Sequence, residues 1–569
     1  MTGTLEGLMQ DDFPLTVHHI LHRMRSCHPH AGVVTLGEDG RTSRTSYGES
    51  AERIDRLARA LSGLGVQPGD RVATFAWNNQ RHFELYMAIP CIGAVLHTLN
   101  IRLFDEQLTY IVRHAEDKVI FVDRTLVPVL AKLAPSFDGV RHYVIMDEPV
   151  EQGSAQAQQS GANGAQPDTD ALPGALLYEE LLEQAGPGDF DYPEVSERAA
   201  AALCYTSGTT GNPKGVLYSH RSISLHSTAT LMCDGAALSR ADRVLAVVPM
   251  FHANAWGLPH GAALAGAELI LPDRFLQAEP LARLIAAERP TLMGCVPTIF
   301  ADLLRYADTH PKVDLSSLSN AACGGSAVPR QLMQSFEERH GVRIFQAWGM
   351  TETSPVATYS RPDEGGEHDE AYWSDRARQG RPLPWVELRL MGDDGLEVPW
   401  DGESTGELEV RGPWIAARYY RGPSDDEKFD SGWLRTGDIA SVDARSYVQI
   451  TDRSKDVIKS GGEWISSVEL ENEVMAHPDV LEAAVIAKPD ERWSERPLCC
   501  VVLCEGSSAD VDDLIDHLRG RVAKWWIPDE FAFVAEIPKT SVGKFDKKVL
   551  RAMLADDELA NRVTVGPGG

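Results

Sequence analysis

Apolar residues recur along the chain with two different spacings, and the two spacings alternate. Between residues 49 and 64 they follow a helical spacing, which predicts a helix that stops before Gly65. The next apolar run, residues 71–77, predicts a strand, and residues 80–96 predict a second helix. Helices that alternate with strands are typical of an α/β fold with largely parallel sheets.

This pattern changes twice further along the chain. Residues 151–174 contain almost no large apolar side chain, so we expect a solvated loop there and assign it no function. Residues 386–450 read as short strands and turns, and a separate α/β pattern follows them. That pattern comprises a helix over 468–476, a strand over 483–487 and a helix over 511–522. We therefore predict a large domain over residues 1–452 and a small one over 453–569.

Composition narrows the class of protein. A chain of 569 residues is too long for one core, and 43% hydrophobic with 24% charged residues is ordinary for a soluble globular protein. The net charge of −29 argues against nucleic acid or an anionic membrane as partner. A site for anionic ligands would therefore have to be locally basic.

Three further features favour a cytoplasmic location. The nine cysteines show no paired metal spacing and are odd in number, which fits reduced thiols. The first residues lack the basic start and apolar core of a signal peptide. No apolar stretch reaches the ~18 residues that a membrane helix requires, so we expect no integral membrane association.

The most informative segment is residues 205–216, Tyr-Thr-Ser-Gly-Thr-Thr-Gly-Asn-Pro-Lys-Gly-Val, which follows an apolar, strand-like run at 200–203. Glycines allow its backbone N–H groups to form a concave anion nest, while hydroxyls and one lysine add donors and charge. The spacing is not that of the Walker loop. The candidate phosphate ligands are Thr206, Ser207, Gly208, Thr209, Thr210, Gly211 and Lys214. A flexible surface loop is the alternative.

This segment resembles the phosphate loop of the adenylate-forming superfamily, and the resemblance extends from about residue 40 to residue 552. Within that superfamily the chain is most similar to medium- and long-chain fatty-acyl-CoA synthetases. The resemblance implies an α/β fold: a large N-terminal domain of αβ sheets with a distorted β-barrel-like subdomain, and a small, mobile α+β C-terminal domain. It also implies ATP, Mg²⁺ and coenzyme A as ligands.

Residues 346–353, Gln-Ala-Trp-Gly-Met-Thr-Glu-Thr, resemble the second nucleotide motif of the family, with Trp348 where tyrosine is more usual. The match implies that Thr351 binds the α-phosphate, that Glu352 and Thr206 hold Mg²⁺, and that Trp348 packs on the adenine. The remaining nucleotide positions of this motif are Gln346, Ala347 and Gly349. The segment before it supplies an adenine pocket at Gly325, Ser326 and Ala327, unless it is only a structural glycine turn.

Downstream motifs supply the charged groups. By the same match, Asp438 accepts the ribose hydroxyls, Arg453 binds ribose or phosphate, and Lys455 is the hinge. Lys544 bridges the substrate carboxylate and the α-phosphate during adenylation. In the thioester-forming pose the small domain rotates and presents Lys459 and Trp464 instead; a core position for Trp464 and a charged linker around 453 remain alternatives.

Residues 249–257, Pro-Met-Phe-His-Ala-Asn-Ala-Trp-Gly, predict the acyl pocket. His252 and Ala253 match positions beside the substrate carboxylate, and Trp256 matches a tryptophan that gates the acyl tunnel. His252 is expected to position the carboxylate, which is already ionised, unless it is a structural histidine. No carboxylate in this segment could meet an amino group, so an apolar acid is favoured.

The sequence thus predicts an AMP-forming acid–thiol ligase that acts on a medium- to long-chain fatty acid through an acyl-AMP intermediate. The alternatives are a short-chain or 3-methylthiopropionate ligase, transfer of the acyl group to a carrier protein, a luciferase-like oxygenase, and a non-catalytic nucleotide-binding protein. Because Glu352 and Lys544 are both present, the last is disfavoured. Family precedent includes homodimers, but the sequence reveals no interface.

Overall fold

The computed structural model describes residues 8–10, 12–146, 171–172, 174–206, 212–361, 368–423, 427–453, 456–460, 463–490, 492–540, 545–559 and 561–565, with only the backbone for residues 463 and 464. Most of the solvated loop expected at 151–174 lies outside these residues. The chain groups into two compact units. Unit 1 comprises residues 1–206, 215–233 and 237–274, and unit 2 comprises residues 207–214, 234–236 and 275–569.

Unit 1 contains the first strands and helices, numbered in chain order. Its strands are β1 (Gly32–Leu36), β2 (Thr42–Ser46), β3 (Arg71–Phe75), β4 (Val95–Thr98), β5 (Val119–Asp123), β6 (His142–Met146), β7 (Leu176–Leu177), β8 (Ala200–Tyr205), β9 (Gly215–Ser219), β10 (Arg243–Ala246) and β11 (Glu268–Leu271). Its helices are α1 (Val17–Cys27), α2 (Tyr47–Gly63), α3 (Gln80–Cys91), α4 (Asp105–Ala115), α5 (Val127–Leu133), α6 (Tyr178–Ala185), α7 (His220–Leu231) and α8 (Leu258–Ala265).

Two runs of paired strands organise unit 1. One is a seven-stranded sheet in the order β7-β6-β5-β3-β4-β8-β9, parallel except for β9. In the other run, β10, β11 and β1 are parallel and β2 is antiparallel to β1. Helix α2 shows how the sequence specifies an element: Ser46 and Glu49 form a capping box at its start.

Unit 2 contains the remaining elements. Its strands are β12 (Leu292–Cys295), β13 (Asn320–Gly324), β14 (Arg343–Gly349), β15 (Val356–Tyr359), β16 (Arg381–Pro382), β17 (Glu387–Met391), β18 (Gly406–Arg411), β19 (Phe429–Asp430), β20 (Trp433–Val442), β21 (Val448–Arg453), β22 (Ile458–Ser460), β23 (Glu463–Ile465), β24 (Val480–Asp490), β25 (Ser494–Leu503), β26 (Glu530–Phe533) and β27 (Arg562–Thr564). Its helices are α9 (Ala278–Glu288), α10 (Pro297–Thr309), α11 (Arg330–His340), α12 (Glu370–Ala377), α13 (Ser467–Met475), α14 (Val511–Leu518) and α15 (Lys547–Ala555).

Three sets of strands organise unit 2. Strands β12, β13 and β14 are parallel, and β15 and β16 continue the set antiparallel. A five-stranded antiparallel sheet follows in the order β17-β18-β20-β19, with β21 also paired to β20. A six-stranded sheet, β23-β22-β25-β26-β27 with β24 on β25, has its own apolar clusters, which include Leu470, Val485 and Phe531.

The α/β fold expected from the sequence is confirmed, and two helix ends need correction. The helix expected over 80–96 ends at Cys91, because the chain turns at Gly93 (φ +79°) and Val95 already begins β4. The helix expected over 511–522 ends at Leu518, just before Gly520 with φ +79°. The domain boundary at residue 452 stays a prediction. Among the described residues, no helix has both the length and the apolar character to cross a membrane.

Candidate active site

A buried hydrogen bond in unit 2 joins the tryptophan and the aspartate expected to hold the nucleoside. The Nε1–H of Trp348, at the end of β14, donates to Oδ2 of Asp438 at 3.0 Å. Asp438 lies on β20 directly opposite Arg453 of β21, whose Nε stands 3.3 Å from its Oδ1. Sheet register therefore places Arg453 beside Asp438, and the hydrogen bond joins both to Trp348, which lies 90 positions before Asp438 in the sequence.

A second buried pair lies at the following turn. Glu352, in the 3₁₀ turn Thr351–Thr353, is 6% exposed and accepts a hydrogen bond from the Tyr419 hydroxyl at 2.6 Å. The ammonium of Lys214 stands 4.4 Å from the centroid of the Tyr419 ring. Tyr419 thus links the lysine of the expected phosphate loop to the expected magnesium ligand, a role that the sequence analysis missed.

Lys428 is a further cation that the sequence analysis missed. Its Nζ donates to the carbonyl of Thr436 at 2.9 Å. Burial lowers the pKa of Lys428, while the carboxylates of Glu352 and Asp438 act to raise it, which places its charge close to both. Together with Lys214 and Arg453 it supplies positive charge around these acids in a chain of net charge −29. No local motif marks Lys428, because its neighbours come from distant segments.

The expected adenine loop lies between β13 and α11. Gly325 has φ +89°, and Ser326 is exposed at the tip of the turn. Gln346 is buried, and its side chain accepts from Val328 N–H at 3.2 Å and donates to Ala377 O at 2.5 Å. Because protein groups occupy its amide, Gln346 serves to hold this loop.

Gly349 has no room for a side chain. An added Cβ would lie 1.9 Å from the Pro355 carbonyl oxygen, which accepts the Met350 N–H at 3.0 Å. The clash would be with backbone, so it cannot be relieved by a rotamer change. Ala347 and Trp348 precede Gly349 on β14, both largely buried.

In unit 1, the stem of the phosphate loop is closed by a strand pair. Tyr205, the last residue of β8, lies in register with Gly215, the first of β9. The Tyr205 hydroxyl and Nδ1 of His114 are 2.7 Å apart, and a Cβ at Gly215 would lie 3.1 Å from the Tyr205 ring. Thr206 follows directly and is half-buried. The loop is therefore anchored at both ends.

The expected acyl segment of unit 1 forms a left-handed turn. Ala253, Asn254, Ala255 and Trp256 have φ of 42°, 50°, 48° and 55°, and Gly257 follows with φ +75°. Such a run in residues other than glycine is costly and characteristic of functional sites. His252 precedes the turn and, like Trp256, is half-buried.

Neighbouring groups hold this turn in place. The Cys204 thiol donates to Oδ1 of Asn254 at 3.1 Å, and a Cβ on Gly257 would lie 2.7 Å from Nδ1 of His226. The buried Asn78 binds the segment between β10 and this turn: its side chain donates to Val248 O at 2.8 Å and accepts from Met250 N–H at 2.7 Å. Asn78 has no signature in the sequence that would mark it for this role.

Lys459 lies on the hairpin of β22 and β23, in register with the backbone of Trp464. Its side chain is exposed, and its N–H donates to Glu495 at 2.8 Å.

Five of the expected phosphate ligands, Ser207, Gly208, Thr209, Thr210 and Gly211, lie outside the described residues. So do Lys455, Lys544 and the Trp464 side chain.

The carboxylate of Glu352 fits a magnesium ligand. Tyr419 donates to Oε1, and a carboxylate accepts at both of its oxygens, so Oε2 is suited to bind a cation. Within the described part of the chain, no group of three or more His, Cys, Asp or Glu side chains could hold a metal ion. One carboxylate plus phosphate oxygens is a normal arrangement for Mg²⁺ bound with ATP.

Known protein families, sequences and structures resemble this chain over most of its length. A family model described as AMP-binding enzyme matches residues 24–420, and one for the C-terminal domain of AMP-binding enzymes matches residues 469–544. A 3-methylmercaptopropionyl-CoA ligase of Ruegeria lacuscaerulensis is 43% identical over 95% of this chain and 98% of its own. A long-chain-fatty-acid–CoA ligase of Thermus thermophilus is also 43% identical, over 96% and 98%. The crystal structure of the anthranilate CoA ligase AuaEII with anthranoyl-AMP superposes with a TM-score of 0.83 at 26% identity, covering 97% of this chain and all of that one.

Proposed function

Because the chain belongs to the AMP-binding enzyme family, we propose that it joins a carboxylic acid to coenzyme A at the expense of ATP. In the first step a carboxylate oxygen attacks the α-phosphorus of ATP, and pyrophosphate leaves. In the second step the thiolate of coenzyme A attacks the acyl carbon, and AMP leaves. The observation that carries this proposal is the buried arrangement of Trp348, Asp438 and Glu352, since it offers a nucleoside a flat ring and two fixed carboxylates.

The proposed nucleotide site uses residues of both sequence motifs. Asp438 accepts the ribose hydroxyls while Trp348 fixes its orientation, and Arg453 contacts ribose or phosphate. Gly325, Ser326 and Ala327, with Ala347 and Gly349 of β14, form the wall against which the adenine lies.

The phosphates are proposed to lie on the loop that begins at Thr206, with Lys214 as its cation and Thr351 on the α-phosphate. The residues of this loop are Ser207, Gly208, Thr209, Thr210 and Gly211. Mg²⁺, bound by Glu352 and Thr206, would neutralise charge on the triphosphate. Lys544 is proposed to bridge the acid and the α-phosphate.

The second step is proposed to use a different face of the small domain. One lysine of a mobile domain cannot serve both steps if that domain rotates. We therefore propose that residues 453–569 turn about a hinge at Lys455, so that Lys459 and Trp464 replace Lys544 at the site. This proposal includes the domain boundary between residues 452 and 453.

The acid is proposed to be a medium- to long-chain fatty acid. His252 and Ala253 lie next to its carboxylate in this proposal, and Trp256 borders the chain. Apart from His252, the segment from residue 250 to residue 257 presents no ionisable side chain, which favours an apolar tail. A second candidate is a methylthio acid, favoured by the 43% identity to the Ruegeria ligase, which equals the identity to the Thermus ligase.

We also propose a cytoplasmic location and a homodimer. All nine cysteines are free thiols, as expected in a reducing compartment. The homodimer rests on resemblance alone, and sedimentation of the purified protein would test it.

The decisive experiment measures release of pyrophosphate and AMP with ATP and Mg²⁺, for acids from acetate to palmitate and for 3-methylthiopropionate, with and without coenzyme A. We expect coenzyme A-dependent turnover that peaks at six carbons or longer. A peak at short or methylthio acids would keep the mechanism and replace the substrate. No turnover with any of these acids would contradict the proposed activity toward them.

A further inference from the structure

Two basic side chains on one face of helix α15 contact the chain on both sides of the proposed hinge. Lys547 and Arg551 lie one helical turn apart. Arg551 pairs with Asp456 at 2.5 Å, just after the hinge. Lys547 donates to the Ser467 hydroxyl at 2.5 Å, and the N–H of Ser467 donates to Asp452, just before the hinge, at 2.7 Å. Helix α15 is therefore tied to the hinge on both sides.

The Lys547 ammonium is buried among carboxylates. Its side chain is 11% exposed and lies 2.7 Å from Oε1 of Glu471, which also accepts the Val485 N–H at 2.7 Å. Burial by itself would lower the pKa of Lys547, but Glu471 and Asp452 outweigh it and raise that pKa, so the amine stays charged. Asp452 is 1% exposed and has no bulk water to stabilise its charge.

The first turn of α15 is also the base of the loop that carries Lys544. Lys539 and Phe545 form an antiparallel bridge that closes this loop, and Asp546 N–H donates to the Pro538 carbonyl at 2.7 Å. The Asp546 carboxylate caps the helix by accepting from the N–H groups of residues 548 and 549. Lys547 is the next residue, so the contacts of its side chain fix the position of the backbone at the base of the loop.

The other side of the base is held as well. The Lys539 ammonium pairs with Glu482 of β24 at 2.5 Å. Two ion pairs therefore hold the base of the loop. The exposed pair joins Lys539 to Glu482 on β24, and the buried pair joins Lys547 to Glu471 on α13. Buried ion pairs are poor stabilisers, since apolar residues of similar volume often do as well. Apolar replacements would not, however, reproduce the fixed geometry of an ion pair.

We propose that Lys547 and Arg551 are positioning residues for the adenylation step: they fix the base of the Lys544 loop to the hinge through Glu471, Ser467 and Asp456. This inference rests on the proposed function, in which Lys544 acts in adenylation alone. Neither residue touches a reactant. Their substitution should therefore slow acyl-AMP formation and leave transfer from acyl-AMP to coenzyme A largely intact.

The test compares Lys547→Met with its neighbour Lys548→Met. Lys548 lies on the same helical turn but is exposed, so it is a matched control. Acid-dependent exchange of labelled pyrophosphate into ATP measures adenylation, and release of AMP from supplied acyl-AMP with coenzyme A measures transfer. A displaced lysine loop should slow exchange in Lys547→Met by about 10- to 100-fold, with transfer changed far less. Lys548→Met should match the wild type, and Lys547→Arg should recover most of the exchange rate.

If Lys547→Met is insoluble, Asp456→Asn tests the same positioning role. It keeps the shape of the side chain and removes only the charge that holds Arg551, so it should lower exchange relative to transfer in the same direction. Equal loss of both steps, or no loss in either, would overturn the inference and leave these ion pairs a purely structural role. A wild-type protein inactive in both steps with every acid would instead count against the proposed function.

Discussion

Replacement of Tyr419 by phenylalanine removes one oxygen atom from the proposed site. That oxygen donates to Oε1 of Glu352 at 2.6 Å, and both side chains are nearly inaccessible, at 5% and 6% exposure. The ring that remains keeps its edge contact with Phe429 at 5.1 Å and its place beside Lys214. Any effect therefore comes from the lost hydroxyl, which donates to Glu352.

The size of the effect follows from the charge and burial of the acceptor. A hydrogen bond to a charged group contributes about 1.5–3 kcal/mol, and the loss is largest when the acceptor stays buried. Each 1.36 kcal/mol of transition-state stabilisation is about tenfold in rate. If Glu352 must be oriented to hold Mg²⁺ during adenylation, kcat/KM for ATP should fall roughly 10- to 150-fold.

Pyrophosphate exchange over a range of ATP and Mg²⁺ concentrations measures this loss. Tyr359→Phe is the control, because it removes a hydroxyl from another buried tyrosine, on β15, whose ring packs on Phe345 at 5.6 Å. A loss below threefold in Tyr419→Phe, or an equal loss in the control, would refute the reasoning that Tyr419 orients a functional Glu352.

Three other outcomes are expected. Lys544→Ala should abolish acyl-AMP formation but spare coenzyme A transfer from supplied acyl-AMP, and equal loss of both half-reactions would contradict its role. Gly349→Ala should abolish ATP-dependent activity and lower Tm, because its Cβ would meet the Pro355 carbonyl at 1.9 Å, whereas Gly63→Ala, with open space around it, should be tolerated. Acid should destabilise the fold, because burial lowers the pKa of three histidines, His82, His226 and His260, to about 4, 3 and 4. Below pH 6.5 the unfolded chain binds protons that these folded residues do not, so each costs about 2 kcal/mol at pH 5, and a Tm that is equal at pH 7 and pH 5 would contradict this.

Sequence reasoning succeeded where a local pattern carries the information. The helical spacing of apolar residues between positions 49 and 64 located α2, which the structure places at Tyr47–Gly63. Helix ends were less predictable. The apolar residues after Cys91 continue the helical pattern although Gly93 and Val95 already belong to a turn and a strand, and only sheet pairing separates the two.

The residues that sequence reasoning missed are those whose partners are distant in the chain. Tyr419 is one of several aromatic residues in its segment, and it gains its role from Glu352, 67 positions earlier. Lys428 and Asn78 are similar cases: each is an ordinary polar residue until the fold brings acids or strand carbonyls next to it. Spacing along a chain carries no signal for such pairs.

If the left-handed turn at 253–257 borders the acid, as proposed, it has a consequence for the redesign of substrate preference. Libraries that enlarge or reduce side chains around Trp256 assume that the backbone stays fixed while pocket volume changes. Here the backbone conformation is held from outside, by the Cys204 thiol on Asn254 and by the His226 ring against Gly257. A β-branched substitution at Ala253 or Ala255 would unwind the turn, whereas glycine would relax it. Changes in chain-length preference from this segment would then report backbone rearrangement as much as pocket size.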